Sequence, residues 1–141
     1  MTRPDAKAYI ELFEKLSPER IRDAEVVVHP AIHFKDPFND FIGIDLFRKL
    51  LDKVLNDVSA PNFIVTRQVR DGDVLFLRWI FSGTVARLGF LEVTGMSEIR
   101  FDREGRVIEH VDHWDASEQF YARLPVIGGL IRLIRGKIKV S

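Results

Sequence analysis

Cysteine is absent from the 141 residues, which removes disulfides, thiolate nucleophiles and cysteine-ligated zinc. Net charge is absent as well. Its 21 basic residues are matched by 21 acidic ones, so the chain lacks the cation surplus a general nucleic-acid binder needs to neutralise phosphates. No long apolar run occurs at the start. MTRPDAKAYIELF is interrupted by charges and offers neither the hydrophobic region of a secretory signal nor a membrane span, so a cytoplasmic location is expected. No GxGxxG turn and no P-loop is present, so no organic cofactor is expected.

What is present suits one α+β domain over residues 1–141, a length that fits one unit better than two. A hydrophobic share of 46% supports a sizeable core, and 11 phenylalanines suit a wide sheet face or a ring-lined pocket. Ala8, Tyr9, Leu12, Phe13 and Leu16 recur at helical spacing and predict a helix from Asp5 to Leu16. Ser17-Pro18-Glu19 predicts the capped start of a second, short helix. A short strand from Ala31 to Lys35 stops at Asp36-Pro37. After Gly43, the stripe Leu46, Phe47, Leu50, Leu51, Val54, Leu55 and Val58 marks a longer amphipathic helix.

Beyond Pro61 the period changes to two. Strands are predicted at Phe63–Val69, Val74–Ala86, Phe90–Asp102 and Arg106–Trp114, with turns at Asp71-Gly72-Asp73 and Arg103-Glu104-Gly105. Asp115 to Ile138 reads as helix, broken at Pro125 and weakened at Gly128-Gly129. Helices first, then consecutive antiparallel strands, then a helical tail give an α+β fold.

This order, with DPF at 36–38, Gly43 opening a helix and GRVIEHVDHWD at 105–115, resembles the nuclear transport factor 2 superfamily over roughly residues 4–124. Its SnoaL-like and ketosteroid-isomerase-like branch is the most similar. The resemblance implies a cone, in which a curved antiparallel sheet wraps the helices, leaves a pocket at its open end and forms a homodimer through its outer face. It does not imply an activity, since isomerases, dehydratases, epoxide hydrolases, polyketide cyclases and non-catalytic binding proteins share the fold.

Strand alternation sorts the side chains into faces. Ile108, His110, Asp112 and Trp114 share one face of the last strand, and the resemblance turns that face inward. The same register places Val93, Gly95, Ser97, Ile99 and Phe101 inside, with Glu92, Thr94, Glu98 and Arg100 outside. On the long strand Leu75, Leu77, Trp79 and Phe81 form the apolar set. Trp79, Phe81, Ser97, Phe101 and Trp114 are therefore the candidate ligand-contacting residues for a hydrophobic small molecule.

Asp36 stands where isomerases of the superfamily carry the proton-moving carboxylate, and an apolar cavity rim makes a carboxylate a stronger base. The same residue is also what opens an Asp-Pro turn, its side chain bonding its own backbone. The isomerase oxyanion hole, a tyrosine on the first helix and a protonated aspartate on the penultimate strand, has no clear counterpart. The positions fall on Leu12 or Phe13 and on Ser97, with Tyr9 one turn too early, so ketosteroid isomerase activity itself is not expected.

His110 and Asp112 can be neighbours on one face. With Asp36 they would form a catalytic set of one histidine and two carboxylates, Asp36 the base, His110 the shuttle and Asp112 its partner. A hydrogen-bonded core pair is the other reading. A metal is not expected, because Pro30 spoils a helical pairing of His29 with His33, and His110 and His113 face opposite ways. Arg67, Arg78 and Arg100 are expected to pair with Glu92, Glu98 or Glu109 across strands or across a dimer seam.

The tail, 125–141, differs from the rest. Ile127, Leu130, Ile131, Ile134 and Ile138 fall on one helical stripe, with Arg132, Arg135 and Lys139 opposite. A helix closing the cone or packing on a partner is the first expectation. Attachment to a membrane surface is the second. Function follows the same division: acid–base chemistry of isomerase, cyclase or dehydratase type in the pocket, or non-catalytic binding there or through the tail.

Overall fold

The computed structural model describes residues 6–119 and 127–140. Helix α1 (Ala6–Glu14) turns Tyr9, Ile10 and Leu12 into the interior. Helix α2 (Pro18–Arg22) begins at Ser17, whose hydroxyl oxygen accepts from the Arg20 amide at 3.2 Å. A first-turn N–H is thereby satisfied, and Pro18 stands where its missing donor costs nothing. A 3-10 turn (Ala24–Val26) leads to strands β1 (Val28–Lys35) and β2 (Asp40–Ile42), followed by helix α3 (Ile44–Asp57), which buries Phe47 and Leu51. Strands β3 (Val58–Asp71), β4 (Val74–Val85), β5 (Gly89–Phe101) and β6 (Val107–His113) come next, then helices α4 (Ala116–Gln119) and α5 (Ile127–Ile138). The break expected at Pro125 lies outside the described residues.

The six strands form one curved sheet in the order β2-β1-β6-β5-β4-β3. The meander β3 to β6 is antiparallel throughout, as its tight turns require. The sheet as a whole is mixed, however, because β1 runs parallel to β6, with Phe34 opposite His110 and Lys35 opposite Val111. No local turn joins these two strands, so nothing in their own sequences fixes their relative direction.

Strand β3 starts at Val58, earlier than expected. It passes Pro61 by an irregularity between Ser59 and Asn62, with Ala60 at φ 51°. This is an edge strand, where a proline without an N–H breaks no essential ladder bond.

Alternation holds along β4 and β5. Leu75, Leu77 and Trp79 are buried on one, and Leu91, Val93, Ser97, Ile99 and Phe101 on the other. On β6 it is corrected by a bulge. Ile99 pairs with His110 and Arg100 with Glu109, but Phe101 pairs with Val107, leaving Ile108 as the extra residue. Val107 is therefore fully buried in place of the expected Ile108, which is only half-buried, while His110 and Asp112 keep the expected face.

Within the chain the outward arginines make none of the expected pairs. Among the described residues neither Arg67, Arg78 nor Arg100 reaches ion-pair distance of Glu92, Glu98 or Glu109. Glu109 instead takes His33 Nδ1 at 3.2 Å, and Asp40 takes the other ring nitrogen at 2.7 Å. Helix α5 runs through Gly128-Gly129 without interruption and leaves Leu130, Leu133, Ile134 and Ile138 exposed. The side chains of Ile127 and Ile131, the rest of the expected stripe, lie outside the described residues.

Candidate functional site

Side-chain volume, varying along the same inward rows, hollows one end of the sheet. At one end Leu75, Ile99, Phe101 and Val107 fill the space against Val28 and Ile32. Toward the other end β4 offers Gly83 and β5 only Val93 and Leu91. A cavity of about 270 Å³ opens there between the sheet and the helices. Phe13 and Leu16 from the N-terminal helical region and Leu50, Leu51 and Val54 from α3 form one wall. Phe34, Phe63, Trp79, Phe81 and Trp114 complete an aromatic lining, and the polar members are Asp36, His110 and Asp112. Among the described residues no lysine or arginine lines it. A shallower outer depression of about 560 Å³ shares Asp36, Asp112 and Trp114 with the cavity and adds Lys35, Pro37, Val111 and His113. The inner cavity is the better candidate site, since it is more enclosed and walled almost entirely by apolar groups.

At the boundary between the hollow and filled ends runs a directed chain of hydrogen bonds. Trp79 Nε1 donates to Ser97 Oγ at 2.8 Å, and Ser97 Oγ donates to Asp112 Oδ1. His110 Nε2 meets the same oxygen at 2.6 Å, and His110 Nδ1 meets the Tyr9 hydroxyl at 2.6 Å. Burial, and secondarily the charge on Asp112, push the Tyr9 phenol well above its ordinary range, so Tyr9 stays protonated and donates to Nδ1. That assigns the histidine proton to Nε2, where it is given to Asp112.

The His110 ring is buried among Tyr9, Phe13 and Phe34, whose centroids lie 5.8, 5.5 and 5.0 Å from its own. Asp112 lines the cavity, and the bonds from Ser97 and His110 both fall on its Oδ1.

Gly95 makes the chain possible. A Cβ built there would stand 2.5 Å from the Trp79 ring and 3.1 Å from Trp114 Cβ. Without a side chain at 95 the indole lies across β5 and reaches Ser97 on the same face.

The expected site residues separate into three groups. His110, Asp112, Trp79, Phe81 and Trp114 are brought together around the cavity. Ser97 is buried behind Asp112 and holds it, but does not line the cavity. Phe101 lies at the filled end, under the Arg70 guanidinium at 4.7 Å, and contacts no ligand space. Face had been read correctly for both, but alternation gives no depth along the strand.

Asp36 lines the rim, yet its Oδ1 accepts from the Phe38 and Asn39 amides at 2.8 and 2.7 Å and from Asn39 Nδ2 at 3.1 Å. Its oxygens are occupied in forming the turn into β2. Tyr9 is the residue that sequence reasoning missed. Its signal was the spacing Tyr9–Phe13, one turn apart on one helix face, which carries both toward the same histidine.

This arrangement offers a bound organic molecule a carboxylate, Asp112, that can take up and return a proton and is oriented through its Oδ1 by Ser97 and His110. It supplies, among the described residues, no strong cluster of oxyanion donors, because the His110 N–H is already given to Asp112. Among the described residues no three histidine, aspartate or glutamate side chains converge as a metal set. No described helix is long and apolar enough to cross a membrane.

Comparison with known proteins agrees with the geometry. No curated protein matches the chain. Among solved structures, a protein of ketosteroid-isomerase-like fold from Catenulispora acidiphila, in complex with trimethylamine, is 15% identical, with a TM-score of 0.72 over 88% of this chain and 96% of that one. An M. tuberculosis epoxide hydrolase of the LEH-like type is 16% identical, with a TM-score of 0.67 over 94% and 93% of the two chains. A protein of unknown function from Exiguobacterium sp. 255-15 is 19% identical, with a TM-score of 0.67 over 77% and 95%. At these identities the structures establish a shared fold and no more. The profile of the SnoaL-like domain matches residues 6–110, from the first turn of α1 to the buried histidine of β6, and the chain belongs to the SnoaL-like domain family.

Proposed function

We propose that the cavity binds a small apolar organic molecule and that Asp112 is the general base acting on it, in a cofactor-free reaction of isomerase, cyclase or dehydratase type. The observation that carries this reading is the state of Asp112. One oxygen is fixed by Ser97 and His110, and the residue itself lines a mostly apolar space. Asp112 thus takes the role first expected of Asp36. His110 orients it, and Tyr9 fixes the histidine tautomer.

The base removes a proton from carbon or hydroxyl and gives the same proton back at another atom, so no external acid is needed. With no strong oxyanion donor present, the substrate must spread developing negative charge over its own conjugated system.

Size and charge limit the ligand further. The cavity holds about nine waters' worth of volume at roughly 30 Å³ each, enough for a monocyclic or short-chain compound. Two carboxylates and, among the described residues, no lysine or arginine in the lining favour a neutral or cationic ligand over an anionic one. The trimethylamine held by the Catenulispora protein is consistent with that preference. Non-catalytic binding is favoured by one observation, that both His110 nitrogens are already satisfied.

Native mass spectrometry of the purified chain identifies any retained ligand and so defines an assay. Asp112→Asn should then keep ligand binding and lower turnover by a factor of about 10² to 10⁴. Undiminished turnover in that variant rules out Asp112 as the base. A wild-type chain that binds the ligand and leaves it unchanged decides for the binding reading.

A further inference from the structure

Among the described residues, large apolar side chains are exposed on helix α5 as well as on strands β3 and β5, where Val69, Phe90 and Met96 face solvent. Leu130, Ile134 and Ile138, spaced four residues apart and so on one face, are 58%, 49% and 73% exposed. Leu133 beside them is 60% exposed. Charge separates the same segment from the body. Residues 120–141 carry five basic residues and no acidic one, whereas residues 1–119 carry 16 basic and 21 acidic. The balanced total thus conceals an acidic body and a basic tail. The family match ends at residue 110, so α5 lies outside it.

We infer that α5 docks on an anionic lipid surface, lying in the interface with its apolar face down. Length sets that orientation. Twelve residues span about 18 Å, well short of the roughly 30 Å of a bilayer's hydrocarbon core, so the helix lies on the membrane and does not cross it. Leu130, Ile134 and Ile138 supply the buried face, and Lys137 and Lys139 are exposed and able to reach headgroup phosphates. Gly128, Gly129 and Gly136 fall away from the apolar face, where contact with lipid is not needed. They leave α5 a weak helix in water, one that gains from an interface. Anionic lipid suits the tail's cations, and an uncharged surface would leave them unused.

The test is co-sedimentation of the full chain with vesicles of phosphatidylcholine alone and of phosphatidylcholine with phosphatidylglycerol, at low and high salt. Binding is expected to the anionic vesicles only and to weaken with salt. Lys137→Gln with Lys139→Gln should lower partitioning about fivefold per cation removed. Combined Leu130→Ser, Ile134→Ser and Ile138→Ser should abolish it with the thermal melt unchanged, since all three positions are exposed.

Three results would overturn the inference: no binding to anionic vesicles, equal binding to both kinds, or unchanged binding of the triple-serine variant. Sedimentation velocity on the same proteins covers the remaining occupant. If the wild-type chain ignores vesicles but is a dimer that the triple variant splits, α5 covers a second copy of the chain and the lipid assignment is wrong.

Discussion

The two ends of the sheet are built from the same strands, with the same alternation, and differ in one respect. At the filled end each inward position of β4, β5 and β6 holds a large side chain, Leu75, Ile99, Phe101 and Val107 among them, and all are buried. At the hollow end the corresponding positions hold Gly83, Val93 and a half-buried Phe81. Alternation decides which face a residue occupies, and volume decides where that face encloses space. The polar residues Ser97, His110 and Asp112 stand on the boundary between the two. There a carboxylate can be anchored from the dry side and still meet a ligand from the other.

The largest expected effect tests this contrast directly. Ile99→Ala, at the filled end, should cost about 2–5 kcal/mol of stability in urea unfolding, from lost burial and the cavity left behind. Phe81→Ala faces space that is already empty and should cost less than half as much, while weakening ligand binding more. Equal losses would mean that the two ends do not differ as described.

A smaller effect sharpens the boundary. Gly95→Ala places a methyl against the Trp79 indole and should cost about 1–3 kcal/mol while changing tryptophan emission, as Nε1 is drawn off Ser97. An unchanged spectrum would show that Gly95 does not set the indole's position.

The smallest effect contrasts the buried His110 with its surface counterpart. The hydrogen bond to Asp40, and secondarily that to Glu109, raises the proton affinity of His33. A raised folded-state value means that His33 contributes stability fully below about pH 6.5 and loses that contribution as pH rises through the raised value. The exposed setting limits it to within about 1 kcal/mol. Denaturation midpoints from pH 5.5 upward should fall in the wild type and fall less in His33→Gln. Parallel curves would assign the pH dependence to other groups.

Much of this was legible in the sequence because it is local. Period two found the inward rows of β4 and β5, and the Ser17-Pro18 cap marked the start of α2 to the residue. What was missed depends on relations that no single segment carries. The bulge at Ile108 exchanged it with Val107 because a strand's partner, not its own pattern, places an extra residue. The parallel pairing of β1 with β6 joins segments with no turn between them. Tyr9 was set aside by its position on α1 relative to the isomerase pattern, yet its hydroxyl reaches His110 directly. Phe101 and Ser97 were assigned the right face but the wrong depth. Asp36 was legible in both of its readings, and its bonds from the Phe38 and Asn39 amides form the turn the second one expected.

The Tyr9–His110 hydrogen bond joins residues 101 positions apart. In folding terms it closes nearly the whole chain into a loop for a single polar contact, an entropy cost that one bond does not offset. The meander must already be zipped and β1 already aligned beside β6 before that bond can hold. The oriented carboxylate therefore belongs among the last features to form and among the first lost in any partial opening. Whatever steadies the β1–β6 seam also governs how much of the protein is competent at a given moment.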